Sequence, residues 1–354
     1  MQSKFGEAKV TKKTGKRSDN SQFNSYLCAV NPLKTYIVTH EKELPPLDDT
    51  NFFHSSQLFQ LARLTPRQKP YMVIAEDEHG HIVAHMLAIV RYRTSWFPPY
   101  FFMHCRLLGE GVYDESVTQR NEVFDQMLSM LRKHIGRRML YIEVSNLSQK
   151  MFAYREFRQH QFFPVNWMSI HNSLHSHTPE ERISKRMQQR INKAYQRGII
   201  TKEVETDKEF EAFNRLLRHH NLLKPKRYIP SKEFFRGIVD EGHGRLAITL
   251  YKGHVIGCSA CAYSEGNAFL WYAAYRRKSF AFVHPDILTI WYAIKDAHRR
   301  GYDHIFFLDV GLPFRRNPFR EFILSFGGKP VSTFRWFRCS IKWVNALLSW
   351  IYRD

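Results

Sequence analysis

One stretch near the C-terminus combines an acid, several arginines and a double glycine. In "FFLDVGLPFRRNPFREFILSFGG" (306–328), an apolar strand-like run ends on Asp309, and Arg315, Arg316 and Arg320 follow it closely. Burying an unpaired carboxylate costs about 1–3 kcal/mol or more, so Asp309 must face water, a cation or a substrate. A carboxylate so placed can orient or deprotonate an amine, and arginines bind phosphate or carboxylate groups. Asp309 is therefore a candidate catalytic residue and the three arginines are candidate substrate-binding residues. The alternative is a structural pair between Asp309 and Arg320.

A similar arrangement occurs in the first half of the chain. In "LYIEVSNLSQKMFAYREF", Glu143 follows an apolar strand and Arg155 takes the place of Arg320. Upstream, "YMVIAEDEHGHIVAHMLAIVRYR" and "RLAITLYKGHVIGCSACAY" are both strand, polar turn, Gly-His and strand, and an amphipathic helix follows each. Two long units of this kind predict two copies of one domain, with Glu143 and Asp309 at matching strand ends.

Length and composition agree with two packed domains. The chain has 354 residues, of which 44% are hydrophobic and 15% aromatic. We divide it into a disordered basic tail (1–24), an N-terminal domain (25–175), a C-terminal domain (176–340) and an amphipathic C-terminal helix (341–354). The tail is assigned as disordered because it is polar, Lys-rich and without periodicity.

The segment that joins the halves is rich in cations. "HTPEERISKRMQQRINKAYQRG" begins with a capping signature and ends with Gly198, which predicts one helix over 179–197. Its cations recur at helical spacing on one face: Arg182, Arg186, Arg190, Lys193 and Arg197. Like charges at this spacing repel, so the face either binds phosphate groups in a groove between the domains or is an ordinary solvated surface. The formal net charge of +20 indicates anionic partners without identifying them.

Cysteine and histidine patterns do not indicate a metal site. The five cysteines are an odd, scattered set, and Cys258 and Cys261 lie three apart in a strand-like run, where they face opposite sides. The pair His219-His220 is interpreted as solvated histidine on a helix surface.

Several motifs together resemble a known family. "RMQQRINKAYQRGI", "GRLAITLYKGHVIG", "HPDILTIWYAIKDAHRRGYDHIFFLDVG" and "FREFILSFGG" occur in this order. They resemble the tandem acyltransferase-fold proteins related to the Fem peptidyltransferases of cell-wall synthesis, including the FemAB-like proteins. The resemblance implies an α/β (α+β) fold of tandem GNAT (acyl-CoA N-acyltransferase-like) domains, with mixed, mostly antiparallel sheets flanked by helices. It also implies acyl-CoA or aminoacyl-tRNA as donor and an amine of an envelope precursor, such as a peptidoglycan precursor, as acceptor.

The sequence departs from this family at two places. Ile323 stands where Fem-type proteins commonly have a lysine that is thought to assist the reaction. The turn that normally holds pyrophosphate is Gly-rich in acetyl-CoA enzymes, whereas "YRRKSFAFVHPDILTIW" contains no glycine. Arg276, Arg277 and His284 are therefore candidate substrate-binding residues that replace backbone donors with side chains. The alternative for His284 is a solvated histidine.

The C-terminal segment "SIKWVNALLSWIYRD" places Trp343, Leu347, Trp350 and Ile351 on one helical face. Such a helix either packs on its own domain or lies in a membrane interface, where it would favour a lipid-linked acceptor. Without a signal peptide or an apolar run long enough to span a bilayer, we expect a cytoplasmic protein, with peripheral contact at the inner membrane face as an option.

These observations predict an N-acyltransferase or aminoacyltransferase without a metal. Two alternatives stay open: a non-catalytic GNAT-fold protein that binds an anionic ligand, and an RNA-binding module. The aromatic residues argue against the second, because they lie in apolar periodic runs typical of a core rather than of a stacking surface.

Overall fold

The computed structural model describes residues 33–95, 100–136, 138–221, 228–308, 310–312 and 316–352. The strands, in chain order, are β1 (Lys34–Val38), β2 (Gln68–Glu76), β3 (Ile82–Ser95), β4 (Tyr100–Leu108), β5 (Val112–Tyr113), β6 (Tyr141–Ser145), β7 (Phe163–Ser173), β8 (Ile199–Glu203), β9 (Gly244–Tyr251), β10 (His254–Ser264), β11 (Asn267–Tyr275), β12 (His304–Phe307) and β13 (Lys329–Cys339). The α-helices are α1 (Ser56–Leu64), α2 (Arg120–Ile135), α3 (Tyr154–Gln159), α4 (Pro179–Arg182), α5 (Lys185–Gln196), α6 (Asp207–Asn221), α7 (Lys232–Asp240), α8 (Pro285–Arg299), α9 (Pro318–Leu324) and α10 (Lys342–Ile351). Short 3-10 turns occupy Glu41–Glu43, Phe52–His54 and Ala281–Val283.

The strands form one sheet in the order β1-β2-β3-β4-β6-β13-β7-β12-β11-β10-β9-β8, with β5 beside β3. From its outer edge, the first half (up to β7) contributes β1-β2-β3-β4-β6, and the second half (from α4) contributes β8-β9-β10-β11-β12 in the same order. In each half the only parallel pair among the described strands is the innermost of these, β4 with β6 and β11 with β12. The strand order therefore confirms the duplication expected from the sequence.

The final strand of each half crosses to the other half. β7 pairs antiparallel with β12, β13 pairs antiparallel with β6, and the two crossing strands pair with each other at the centre. The sheets of the two halves are thus joined into one by an exchange of equivalent strands. Glu143 lies in β6, whereas Asp309 lies outside the described residues.

Three apolar cores surround this sheet. One lies between the halves and packs α1, α6 and α7 against strands of both. A second lies under α5, α8 and α9 in the second half, and a third lies under α2 and α3 in the first half. In this way α2, which follows β4 and β5, and α8, which follows β11, occupy equivalent positions in the two halves.

Glycines permit two close approaches that position the second half. A Cβ at Gly257 of β10 would lie 2.0 Å from Oγ1 of Thr289, so glycine lets α8 pack directly on the sheet. The double glycine of the sequence ends α9: Gly327 has φ +83°, and a Cβ at Gly328 would lie 2.6 Å from Oδ1 of Asn172. The Phe-Gly-Gly turn therefore lets β13 enter the centre of the sheet beside β7.

The single helix expected over 179–197 is wrong. The capping box of Thr178 and Glu181 is present, but α4 ends after one turn, and Ile183 is extended. Ser184 then caps a new helix, because its hydroxyl accepts the Met187 N–H at 3.2 Å. Arg182 therefore does not belong to the cationic face of α5, and its Nη2 donates to Ser176 instead.

Candidate active site of the second half

The parallel strands β11 and β12 separate along their length. Their pairing covers Asn267–Leu270 opposite His304–Phe307, so residues 271–275 of β11 extend beyond the last strand partner that the structure describes on this side. A bulge lies at the point of separation: Leu270 pairs with Cys261 and Tyr272 with Ala260, so the register shifts by one residue at Trp271. Bulges of this kind redirect side chains and are frequent beside active sites.

A cavity of about 1010 Å³ fills the space between the separated strands. We call it the splayed-strand cavity. It is lined by Arg215, Leu216, His219, His220, Leu270, Trp271, Ala273, Tyr275, Arg276, Arg277, Lys278, Ser279, Phe307, Leu308 and Phe319. The strand residues and Phe319 supply apolar walls, while α6 and the loop after β11 supply arginine, lysine and histidine side chains. The cavity can therefore hold an elongated ligand that is apolar or amide-like along its length and anionic at one end.

A second concavity of about 450 Å³, the basic groove, lies on the other side of the loop after β11. Its lining residues are Ser184, Arg186, Met187, Arg190, Arg277, Ala281, His284, Asp286, Ile287, Phe322 and Ser325. Arg277 lines both concavities. All the elements of the groove belong to the second half, so the location between the domains expected from the sequence is wrong. The reason is that α5 packs on α8 within the second-half core.

The first turn of α8 contributes to the basic groove. A helix N-terminus carries unpaired N–H groups and a positive partial charge, which favour an anion. Here the Asp286 carboxylate supplies part of this negative charge: it accepts the Ile287 N–H at 3.0 Å and pairs with Nε of Arg277 at 3.3 Å. His284, just before the helix, has φ 49°, and burial lowers the pKa of its imidazole, with further lowering by Arg190 and other nearby arginines. The arginine contribution to this shift agrees with the basic lining of the groove.

Five of the predicted substrate-binding residues line the two concavities. Arg186, Arg190 and His284 line the basic groove, Arg276 lines the cavity, and Arg277 lines both. Lys193 is exposed on α5 and is not among the groove residues.

The remaining predicted residues follow β12 in the sequence. Arg320 donates to the carbonyl of Leu312 at 2.6 Å, and Arg316, 88% exposed, lies 3.7 Å from Glu321. Asp309 and Arg315 lie outside the described residues, but Leu308, which precedes Asp309 in sequence, lines the cavity.

Sequence reasoning missed part of the site. The pair His219-His220 lies on the surface of α6, with His219 exposed and His220 half-buried, but both residues also line the cavity, and Nδ1 of His220 lies 3.2 Å from the carbonyl oxygen of Tyr275. Arg215 was also missed. The spacing of these residues on α6 carries no signal, because only the separation of β11 from β12 makes this face of α6 part of a cavity.

Ile323 explains one departure from the family pattern. Its side chain is fully buried in the second-half core, against which it packs as part of α9. The position therefore serves packing in this chain. Cys258 and Cys261 likewise lie in different cores, on opposite faces of β10, as their spacing predicts.

Comparison with known proteins agrees with this architecture. Residues 181–316 match the family described as acetyltransferase (GNAT) domain, and this segment contains most of the lining of the cavity and the groove. No curated protein matches the chain in sequence.

Among solved structures, the crystal structure of FemX is similar over 87% of this chain and 96% of its own, with TM-score 0.60 and 9% identity. The structure of L-PGS from Bacillus licheniformis covers 84% of this chain and 92% of its own, with TM-score 0.54 and 11% identity. A tandem GNAT protein from the clavulanic acid biosynthesis pathway covers 87% and 99%, with TM-score 0.50 and 10% identity.

The chain therefore has a tandem GNAT fold, and residues 181–316 of its second half match the acetyltransferase (GNAT) domain family. The resemblance to FemAB-like proteins, inferred above from motifs, is confirmed for the fold. None of the helices in the described part of the chain is long and apolar enough to cross a membrane.

Proposed function

We propose that this protein is an N-acyltransferase or aminoacyltransferase whose donor binds in the second half. The observation that supports this most is the splayed-strand cavity, with apolar walls and a basic rim at the separation of β11 from β12. The phosphate-bearing part of the donor would contact the rim and the basic groove, and the acyl-bearing part would enter the cavity.

The shape of the cavity supplies a second reason. Between Trp271 and Tyr275, β11 is paired with β10 and extends beyond the end of β12, and the cavity follows the strand from Leu270 to Tyr275. The arm of a thioester donor and the 3′ end of an aminoacyl-tRNA are both slender enough for a cavity of this shape.

The reaction joins an amine nitrogen to the carbonyl carbon of the donor. The bond that breaks is carbon–sulfur in a thioester or carbon–oxygen in an ester, and the released thiol or hydroxyl takes up the proton that the amine loses. We assign Asp309 to orient and deprotonate the amine, because its neighbour Leu308 already lines the cavity. Arg315 and Arg316 would hold anionic groups of the donor or acceptor, whereas Arg320 holds the preceding loop.

Both donor classes considered from the sequence carry phosphates, so the basic groove suits either acyl-CoA or aminoacyl-tRNA. The acceptor that we propose is an amine of a cell-envelope precursor, in the simplest case a lipid-linked one. The reaction would take place on the cytoplasmic side of the membrane. No metal takes part in this proposal.

The first experiment measures donor binding by filter retention with labelled acetyl-CoA and, separately, with labelled aminoacyl-tRNA. In Arg186→Glu/Arg190→Glu we expect affinity for the true donor to fall about 10²- to 10⁴-fold, since each of the two charge-assisted contacts contributes about 1.5–3 kcal/mol. The matched control, Lys185→Glu/Lys193→Glu, makes the same charge change on the same helix outside the groove and should bind as wild type. Equal losses in both variants, or no binding of either donor, would overturn the assignment.

Turnover separates the enzyme from the non-catalytic alternative. The non-catalytic alternative is suggested by Ile323, which is buried where Fem-type proteins commonly have a lysine. If the donor binds and its acyl group is transferred to amines in a panel of amino sugars, lysine and lysyl peptides, the protein is a transferase. Tight binding without transfer to any of them would instead indicate a binding protein.

A further inference from the structure

An ordinary surface helix turns its apolar side toward the protein, whereas the C-terminal helix α10 turns its largest apolar side chains outward. Its inward side is polar at the centre: Asn345 is 8% exposed, accepts the Cys339 N–H at 2.7 Å and donates to the Gln161 carbonyl at 3.0 Å. One turn later, Ser349 accepts from Nη1 of Arg158 at 3.4 Å. The helix is thus fixed by hydrogen bonds rather than by burial of its apolar stripe.

The outward side carries the large apolar side chains. Trp343 is 71% exposed, Trp350 66%, Ile351 53% and Leu347 46%. Their spacing of i, i+4, i+7 and i+8 puts them on one face. Ile341, just before the helix, and Leu140, whose carbonyl accepts the Ser340 N–H, are also exposed and continue this surface. We call these six residues the apolar helix face.

The surroundings of this face are basic. Ser340 donates to the carbonyl of Gly136 at 2.8 Å, which places the end of α2 beside the start of α10. The last turn of α2 carries Arg132 and Lys133, and α10 itself begins with Lys342. The sequence has no Asp or Glu in 126–136, the later turns of α2, or in 338–352, which include the end of β13 and α10.

From these observations we propose that the apolar helix face docks on a membrane surface rich in anionic lipids. Tryptophan rings prefer the interfacial region of a bilayer, and an amphipathic helix with basic neighbours binds most strongly to anionic headgroups. The inference is independent of the proposed function, because no residue of the face lines the cavity or the basic groove.

A second copy of the chain is a poorer occupant. A patch of this kind exposes on the order of a few hundred Å², whereas a stable protein interface buries about 800 Å² on each partner. Two copies would also bring like basic ends together in a chain of net charge +20. Insertion into lipid needs neither a larger area nor an opposite charge on the protein.

The test is flotation of the full chain with vesicles of phosphatidylcholine alone or with about one third phosphatidylglycerol. We expect binding to the anionic vesicles, a blue shift of tryptophan fluorescence, and at least a tenfold weaker partition for Trp343→Ser/Trp350→Ser. Both tryptophans are largely exposed, so the variant should fold. The control Leu64→Ser/Ile200→Ser removes two exposed apolar side chains elsewhere and should bind as wild type.

Three results would overturn the proposal. One is absence of binding to anionic vesicles, and another is equal loss in the control variant. The third is a concentration-dependent dimer, seen by light scattering, that Trp343→Ser/Trp350→Ser abolishes, because it would assign the face to a second copy.

Discussion

The basic groove has a counterpart in the first half, and the two differ in the sign of their charge. The counterpart, here the acidic groove, has a volume of about 480 Å³ against about 450 Å³ and uses the equivalent start of α2 and the equivalent helix α3. It is lined by Glu110, Thr118, Gln119, Arg120, Asn121, Glu122, Ser148, Gln149, Phe152 and Glu156. The acidic groove therefore has three acids and one arginine. The basic groove has three arginines, one histidine and one acid. Equivalent scaffolds have diverged in the ligand charge that they can accept.

The parallel strand pairs also differ between the two halves. In the first half β6 pairs with His104–Leu108, the final residues of β4, so the two strands end together. In the second half β12 pairs with the first four residues of β11 and leaves the rest to border the cavity. The β3–β4 ladder is also regular, whereas β10–β11 contains the bulge at Trp271. Under the proposed function, the first half would serve as scaffold and the second half would bind the donor.

The largest effect is expected at Asp309, the acid that the sequence repeat aligns with Glu143. Asp309→Asn keeps the shape but removes the charge, and turnover should fall about 10²- to 10⁴-fold if this carboxylate deprotonates the amine. The melting temperature should not change. Full activity, or unfolding of the variant, would make Asp309 a structural residue and erase the proposed difference between the halves.

The equivalent acid of the first half should behave in the opposite way. Glu143 is 8% exposed and lies 3.5 Å from Nε of Arg106 and 3.3 Å from Nη1 of Arg335. Glu143→Gln breaks buried ion pairs, so urea unfolding should show a loss of about 3 kcal/mol, while turnover per folded molecule is kept. A stable variant with lost turnover would move the catalytic acid to the first half.

Acid should weaken the first half through a buried imidazole. His54 is fully buried, accepts the Leu87 N–H at its Nδ1, and burial lowers its pKa to about 3, with His85 adding to this effect. The folded chain then binds fewer protons than the unfolded chain between pH 6.5 and about 3, so stability falls as pH falls through this window. From pH 7 to pH 5 the contribution of His54 is about 2 kcal/mol.

Urea midpoints measured against pH check this value. His54→Gln should lower stability at neutral pH but flatten the slope, whereas the exposed His254→Gln should leave the slope as in wild type. An unchanged slope in the His54 variant would contradict the assignment.

The smallest effect is expected at the helix start of the basic groove. Asp286→Asn removes the carboxylate that competes with an anion for Arg277 and the first turn of α8. Donor affinity in the filter assay should rise about two- to fivefold, the range typical of one charge near a helix terminus. The matched change Glu122→Gln, in the first turn of α2, should have no effect, and a gain there instead would place the donor in the acidic groove.

The sequence predicted the repeat because the strand, turn and helix patterns of each half are local. It also predicted Arg186, Arg190, Arg277 and His284, which the structure brings into one groove. The domain boundaries at 175/176 and 340/341 stay a prediction, since β7 of the first half pairs with β12 and β13 of the second, and β13 pairs with β6 and β7 of the first.

Long-range geometry could not be predicted from local patterns. The break between α4 and α5 depends on Ser184 as a cap, although the cation spacing continues through it. The exchange of β7 and β13, and the separation of β11 from β12, depend on pairings between residues more than 30 positions apart. The role of α6 in the cavity follows from that separation alone.

Hydrogen–deuterium exchange with and without the donor identified by filter binding tests the central claim most directly. We predict slower exchange of the backbone N–H groups of residues 271–278 and of the first turn of α8, because the donor would occupy the cavity and the basic groove. The equivalent segment of the first half, 108–122, should exchange at the same rate in both conditions. Protection of 108–122 with unchanged exchange at 271–278 would contradict the account.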